Sequence, residues 1–336
     1  MNNNLIQINN IYEITKIFEN SKKIIISTHN NPDGDAIGSA LALWNYFIEN
    51  KKDAWIIISD DVPKNMQFLE GADRILKFYQ KSNLHHIKQA DLIVLVDMND
   101  YGRSMMLAEH IQESNATKII IDHHPGMNIN SIHSLVDSNA SSTGEIIWRI
   151  LSQVPDFKVT KPIAEALYVA IATDTGNFRF PKTTSQLHRI IAELIDAGAD
   201  PSYLYENVYN QKSINQMRLL GRALSNLKLL FQDRVCLMSI SEKDFRETQT
   251  SYQDTEFFVE QTLSIEKVKI GILLSEIYQC GEYKISLRSK DDFDVQKVAF
   301  SLGGGGHFNA AGITLKAQSL DDAIDTLLRN LQKIIK

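Results

Sequence analysis

The sequence predicts an α/β protein, with a parallel-sheet domain first and a second, smaller α/β domain after it. Three observations carry that prediction. Near-continuous Ile/Val/Leu runs alternate with helical patterns through the first half of the chain, the signature of a parallel sheet covered on both faces. Acidic residues and histidines stand immediately after several of those runs. Beyond about residue 190 the alternation gives way to helices, and then to strands around a run of glycines.

Taken in order, Ile24-Ile25-Ile26-Ser27 is the first strand candidate. Ile37, Ala40, Leu41, Trp44, Phe47 and Ile48 then follow the i, i+3, i+4, i+7 spacing of an amphipathic helix. Trp55 to Ile58, Leu92 to Val96 and Ile119 to Ile121 predict further strands. Thr160 is placed as the N-cap of a helix with Pro162 in its first turn. The stripe of that helix, Ile163, Ala164, Leu167, Ala170 and Ile171, carries Asp174 on the same face. A helix-rich stretch from Thr184 to Leu230 is interrupted at Ala197 to Pro201. Strands over Arg234–Ile240, Lys269–Glu276, Tyr283–Arg288 and Gly312–Leu315, with helices near Thr255–Ile265, Phe293–Ser301 and Leu320–Ile335, make the second domain. The expected boundaries are 1–190 for the sheet domain, 191–230 for a helical connector and 231–336 for the second domain.

Composition narrows the function. The 336 residues hold 35 basic and 41 acidic side chains, a formal net charge of -6. Long nucleic acid is bound mostly by phosphate neutralisation, which calls for a basic surplus. None is present, so any nucleic-acid substrate is expected to be short and gripped locally. Two cysteines, Cys236 and Cys280, make neither a thiolate cluster nor a disulfide framework. Met1 to Asn10 lacks a charged lead before an apolar core. No window approaches a membrane span, and the sequence reads as cytoplasmic.

Four charged clusters follow apolar segments. They are His29-Asn30-Asn31-Pro32-Asp33-Gly34-Asp35, then Asp97, then Asp122-His123-His124-Pro125, then Thr173-Asp174-Thr175-Gly176. In an open parallel sheet, ligands bind beyond the carboxyl ends of the strands, so the first three should converge on one rim. Carboxylates and imidazoles without thiolates suit manganese or magnesium better than a structural zinc. Two divalent cations would relieve carboxylate repulsion and stabilise charge on a reacting phosphoryl group. Each piece alone has an ordinary alternative: Asp35 as N-cap of the helix from Ile37, His29 as a loop histidine, Asp97 as a cap. Their order together is what points to chemistry.

His29-x3-Asp33-x-Asp35-x3-Ser39, Val96-Asp97, Asp122-His123-His124 and Thr173-Asp174-Thr175-Gly176 resemble the four ordered motifs of the DHH phosphoesterases. Gly303-Gly304-Gly305-Gly306-His307-Phe308-Asn309-Ala310-Ala311-Gly312 resembles the signature of the DHH-associated substrate domain. The resemblance implies a DHH catalytic domain holding one metal by His29, Asp33 and Asp97, and a second by Asp35, Asp97, His123 and Asp174. Asp97 would bridge, Asp122 would fix a histidine ring, and His124 would face substrate as a phosphate ligand or proton donor. Manganese is the expected ion, with magnesium the alternative. Length, domain set and the Asp-His-His-Pro wording are most similar to the nanoRNase A type, which trims very short RNAs and dephosphorylates 3′-phosphoadenosine 5′-phosphate (pAp). A homodimer is an expectation from the family alone.

Consecutive glycines 303 to 306 remove every Cβ from a loop, so backbone N–H groups can line a phosphate, with His307 as a further donor. Arg288 at a strand end is a forked partner for a terminal phosphate, and Arg103, shortly after Asp97, is a weaker candidate of the same kind. Phe178 and Phe180, around Arg179, are candidates for base stacking or for core packing. Rival readings are a family II inorganic pyrophosphatase, a stand-alone linear or cyclic dinucleotide phosphodiesterase and, outside the enzymes, a nucleotide-binding module.

Overall fold

The computed structural model describes residues 2–124, 133–277 and 281–335. Pro125 and Cys280 lie outside them, as do the side chains of residues 2–10, 80, 81 and His307. The chain divides into two compact units, Met1–Gln211 and Lys212–Lys336. The helices expected over 191–230 are shared between the two.

In the first unit the order is α1 (Asn2–Asn20), β1 (Lys23–Ser27), α2 (Gly34–Glu49), β2 (Asp53–Ile58), β3 (Leu76–Lys77), α3 (Gln80–Gln89) and β4 (Leu92–Val96). It continues through α4 (Ala108–Glu113), β5 (Thr117–Asp122), β6 (His133–Val136), α5 (Thr143–Leu151), α6 (Lys161–Asp174), α7 (Ser185–Asp196) and α8 (Pro201–Tyr209). The strands form one all-parallel sheet in the order β3-β2-β1-β4-β5-β6. From β1 the chain winds outward through β2 and β3, then crosses to β4 and winds the other way. The carboxyl ends of β1 and β4 therefore flank a topological switch point, where such sheets bind ligands.

The apolar runs are continuous because both faces are covered. Successive side chains of a strand point to opposite faces: Ile24 and Ile26 pack into a core with α2, α5 and α6, while Ile25 packs with Ile57, Ile93 and Leu95 in a second core. Each such side chain contributes about 1.5–3 kcal/mol on full burial. The crossing of α2 and α6 is close because Gly38 has no side chain: a Cβ there would stand 2.5 Å from the Ala166 carbonyl oxygen and 2.9 Å from the Ala170 nitrogen. This contact brings the first turn of α2 beside the last turn of α6. Two capping details follow. The N-cap of α2 is Asp33, which accepts from the N–H groups of Asp35 and Ala36, so the capping alternative for Asp35 falls away. Thr160 stands at the N-cap position of α6, yet its hydroxyl donates to Glu49 at 2.6 Å instead of capping the helix.

The second unit runs α9 (Ile214–Ser225), β7 (Lys228–Leu230), β8 (Val235–Ile240), α10 (Glu242–Thr248), α11 (Val259–Thr262), β9 (Ile270–Glu276), β10 (Glu282–Ser289), α12 (Val295–Ser301), β11 (Gly305–His307), β12 (Ala310–Lys316) and α13 (Leu320–Leu331). Its sheet has the order β11-β12-β10-β9-β8-β7, with β8 and β9 parallel and the remaining pairs antiparallel. The long helix expected over Thr255–Ile265 is instead a 3-10 turn at Tyr252–Thr255 and the short α11. One face of the sheet packs on α12 and α13, the other on α9 and the aromatic rings of Phe245 and Phe258. No helix among the described residues is long and apolar enough to cross a membrane.

Candidate metal centre

Four chain segments deliver the charged clusters to one place. His29 follows β1 and Asp97 follows β4, so the two flank the switch point. Asp122 ends β5 and is followed by His123 and His124; Asp174 ends α6. Asp97 has φ of 58°, an uncommon left-handed conformation for a residue with a side chain. Its N–H donates to the Ile121 carbonyl at 2.9 Å, which turns the carboxylate into the site rather than along the strand.

The distances sort the residues into two groups sharing Asp97. His29 Nε2 lies 3.2 Å from Asp97 Oδ2, and His29, Asp33 and Asp97 offer ligand atoms within 4.8 Å of one another. His123 Nε2 faces three carboxylates: Asp174 Oδ2 at 3.3 Å, Asp97 Oδ1 at 3.6 Å and Asp35 Oδ2 at 3.8 Å. Asp35, His123 and Asp174 form a second cluster within 4.8 Å. Asp97, His123 and His124 also fall within that span, but His124 Nδ1 lies 2.7 Å from Asp122 Oδ1. The same nitrogen stands 3.5 Å from Asp97 Oδ1, and the shorter contact to Asp122 is the hydrogen bond that orients the His124 ring.

The electrostatics are those of a site built for positive charge. Burial pushes the Asp35 carboxyl well above the usual carboxylate range, with the charges of Asp97 and Asp174 adding to it. Asp174 is raised for the same reasons, burial first and then the Asp97 charge. Burial also works to raise Asp97, but the His29 hydrogen bond and the neighbouring imidazoles hold it below the usual range. Burial lowers His123, and burial of His29 is overcome by its hydrogen bond to Asp97, which leaves that ring raised.

The donor set fits divalent cations. His29 Nδ1 lies 2.8 Å from the Asn30 carbonyl oxygen, a pure acceptor, so Nδ1 carries the proton. With Nδ1 committed to Asn30, Nε2 meets the Asp97 carboxylate, and a proton held there goes with the raised ring of the metal-free protein. A divalent cation can take that proton's place between Nε2 and Asp97, and can sit likewise between His123 and its three carboxylates. Oxygen and imidazole donors without thiolate suit hard or borderline ions.

Around this set lie groups that orient it. Asp35 accepts from the Thr143 and Gly144 N–H groups at 2.7 and 3.0 Å, at the N-terminus of α5, and from the Ser39 hydroxyl at 3.1 Å. Thr143 Oγ1 also donates to Asp97 Oδ1 at 3.1 Å. Sequence reasoning missed α5 and these contacts. The signal was present, since Ser142-Thr143-Gly144-Glu145 before Ile146 and Ile147 has the Ser-x-x-Glu form of a helix start. Lys182, also missed, sets a positive charge near His123 and Asp174.

The candidate substrate residues divide. Arg103 lies close to the centre: its carbonyl accepts from Asn30 N at 2.6 Å, and its charge opposes protonation of His29. Phe178 packs in the core against Tyr168, ring centroids 5.6 Å apart, whereas Phe180 is exposed over Gly176. In the second unit, Arg288 donates from Nε to Glu260 at 2.9 Å. The glycine run has its own steric causes. Gly303 follows the last turn of α12 with φ of 76°, and a Cβ on Gly304 or Gly306 would come within 2.2 or 2.4 Å of a carbonyl oxygen of β12. Gly305 alone of the four has both an ordinary φ and room for a side chain. It pairs with Gly312, which pairs with Ser286 on β10, and His307 pairs with Ala310, which pairs with Arg288. A strip of the sheet is thus kept nearly free of side chains beside Arg288.

The DHH family, N-terminal domain, matches residues 23–171, and the DHHA1 domain matches residues 232–333. A bifunctional oligoribonuclease and PAP phosphatase NrnA of Thermus thermophilus is 30% identical over 328 residues, 96% of this chain and 93% of that protein. The protein of the same description from Bacillus subtilis is 25% identical, covering 93% of this chain and 95% of its own. A crystal structure of an exopolyphosphatase-related protein from Bacteroides fragilis superposes with a TM-score of 0.92 at 32% identity, covering 97% of this chain and 96% of that one.

Proposed function

Because the chain belongs to the DHH phosphoesterases and carries a DHHA1 domain after its DHH domain, we propose that it hydrolyses short 5′-phosphorylated oligoribonucleotides and pAp with two divalent cations, manganese before magnesium. The observation that carries the reading is a pair of ligand clusters, one that includes Asp97 and one whose His123 Nε2 lies 3.6 Å from Asp97 Oδ1. One cation would be held by His29, Asp33 and Asp97, the other by Asp35, His123 and Asp174 with Asp97 between them. Bound there, the cations supply Lewis acidity to a phosphoryl oxygen and lower the pKa of water.

The chain's own groups do the rest. Asp122 accepts from His124 Nδ1, which supports a role for the doubly protonated ring, donating from Nε2 to a substrate phosphate or to the departing sugar oxygen. Arg103 supports phosphate binding beside the His29 loop. In the second unit Arg288, His307 and the backbone of Gly303, Gly304, Gly305 and Gly306 are assigned to a phosphate remote from the bond being broken. The net charge of -6 supports a substrate gripped at a few phosphates rather than along a strand. Relatives of matching length are named for oligoribonuclease and PAP phosphatase activity, which disfavours the pyrophosphatase, dinucleotide and binding-module readings. A cytoplasmic location, supported by the scarcity of cysteine, and a homodimer are proposals checked by fractionation and light scattering.

The test offers pAp, pyrophosphate, a 5′-phosphorylated dinucleotide and a single strand of roughly twenty nucleotides, each with manganese. Rapid turnover of pAp and the dinucleotide is expected, with the long strand slow. Preference for pyrophosphate, or equal rates on dinucleotide and long strand, would overturn the assignment.

A further inference from the structure

We propose that Thr143 is a positioning residue that serves the cation held by Asp35, His123 and Asp174, and leaves the cation at His29 and Asp33 to other groups. This rests on the two-cation reading of the centre. The argument lies in which carboxylate oxygens Thr143 touches. Its hydroxyl donates to Asp97 Oδ1 at 3.1 Å, and its backbone N–H donates to Asp35 Oδ2 at 2.7 Å. Those two atoms are the ones that face His123 Nε2, at 3.6 and 3.8 Å. The other oxygen of Asp97, Oδ2, is turned to His29 at 3.2 Å. One residue thus clamps both carboxylates on the His123 side of the bridge.

The chemistry explains why a buried threonine stands here. Thr143 is fully buried at the first position of α5, and its β-branch restricts the side-chain torsion that aims the hydroxyl. A donor on one lone pair of a carboxylate oxygen fixes the direction of the other, and groups that orient ligands in this way typically govern metal affinity by roughly ten- to hundredfold. Valine keeps the shape and the backbone N–H but removes the hydroxyl, so it isolates the Asp97 contact.

Manganese binding to the whole protein, followed by calorimetric titration without substrate, reads the effect directly. The parent should bind two ions. Thr143→Val should weaken one of the two by roughly ten- to hundredfold and leave the other unchanged, and Thr143→Ser should restore most of the loss. Thr143→Ala repeats the test should valine not be accommodated. Ser142→Ala separates positioning from helix stability, because Ser142 caps α5 by accepting from Glu145 N at 3.1 Å; it should lower the melting temperature without splitting the two affinities. The proposal is overturned if the hydroxyl-free variants bind both ions as the parent does, if they weaken both equally, or if Ser142→Ala reproduces the split. A parent that binds no manganese removes the two-cation reading, and this one with it.

Discussion

Gly144 and Ala170 approach so closely that a Cβ added to Gly144 would stand 2.6 Å from the Ala170 methyl. A Cβ on Gly38 would stand 3.0 Å from the same methyl, so α2, α5 and α6 converge at Ala170, and that junction sets where Asp174 meets Asp35. Gly144→Ala is therefore expected to destabilise the protein by about 1–3 kcal/mol, the usual range for overpacking, although alanine is ordinarily the better helix former. Manganese affinity should fall as well, since the Gly144 N–H donates to Asp35. Urea unfolding and metal titration check both, and a stabilised variant would show that α5 and α6 can separate freely.

Asp97→Asn should lower turnover of pAp by more than about a hundredfold and reduce bound manganese while the fold survives. Asparagine is the substitution of choice because it tolerates the left-handed backbone that Asp97 adopts, where alanine would add strain. Metal stoichiometry, circular dichroism and steady-state rates on the same sample separate the effects. Near-parent activity in a folded variant would remove the bridging role.

How much of this was legible follows from the physics of each element. β1, β2, β4 and β5 stood out because strands buried on both faces must be apolar throughout, and the charged residues after β1, β4 and β5 marked the rim where the clusters converge. β3 has two residues and β6 four, too few for a periodic signal. α5 carried a start signal in Ser142 and Glu145, but its role at the centre depends on contacts to Asp35 and Asp97 more than forty residues away in sequence. No local pattern encodes such contacts. The glycine run was visible as a stretch without Cβ atoms. That Gly304 and Gly306 are also demanded by the β11–β12 hairpin is a steric fact of the folded strands.

The raised carboxyls give a pH prediction with a definite sign. Burial and neighbouring charge hold Asp174 above its ordinary value in the folded, metal-free protein. The native state then binds more protons than the unfolded state, so metal-free stability falls as pH rises from about 4 through the raised folded value. Asp174→Asn should accordingly melt higher than the parent in chelator near neutral pH, with the difference closing toward about pH 4. Added manganese should reverse the order, since only the parent keeps the full ligand set. Thermal melts with and without chelator at both ends of that window decide it; an asparagine variant that melts lower in chelator at neutral pH would contradict the crowded-carboxylate account.

The division of labour between the units can be tested by separating chemistry from grip. Arg288 and His307 belong to neither ligand cluster, and in the sheet register both pair with Ala310, beside the strip that Gly305 and Gly312 keep bare. A hydrogen bond to a charged group is worth about 1.5–3 kcal/mol. Arg288→Ala or His307→Ala should therefore weaken capture of pAp and of phosphorylated dinucleotides by roughly one to two orders of magnitude, seen in kcat/KM. A small activated phosphodiester with no second phosphate should turn over at nearly the parent rate. Glu260 sharpens the test, because it already holds Arg288 Nε at 2.9 Å. If Glu260 aims the guanidinium, Glu260→Gln should lower capture of pAp, though by less than Arg288→Ala. If it competes with phosphate, the same change should raise capture. Either result keeps Arg288 as the grip. Loss of the small activated substrate as severe as the loss of pAp would instead move Arg288 and His307 into the reacting centre.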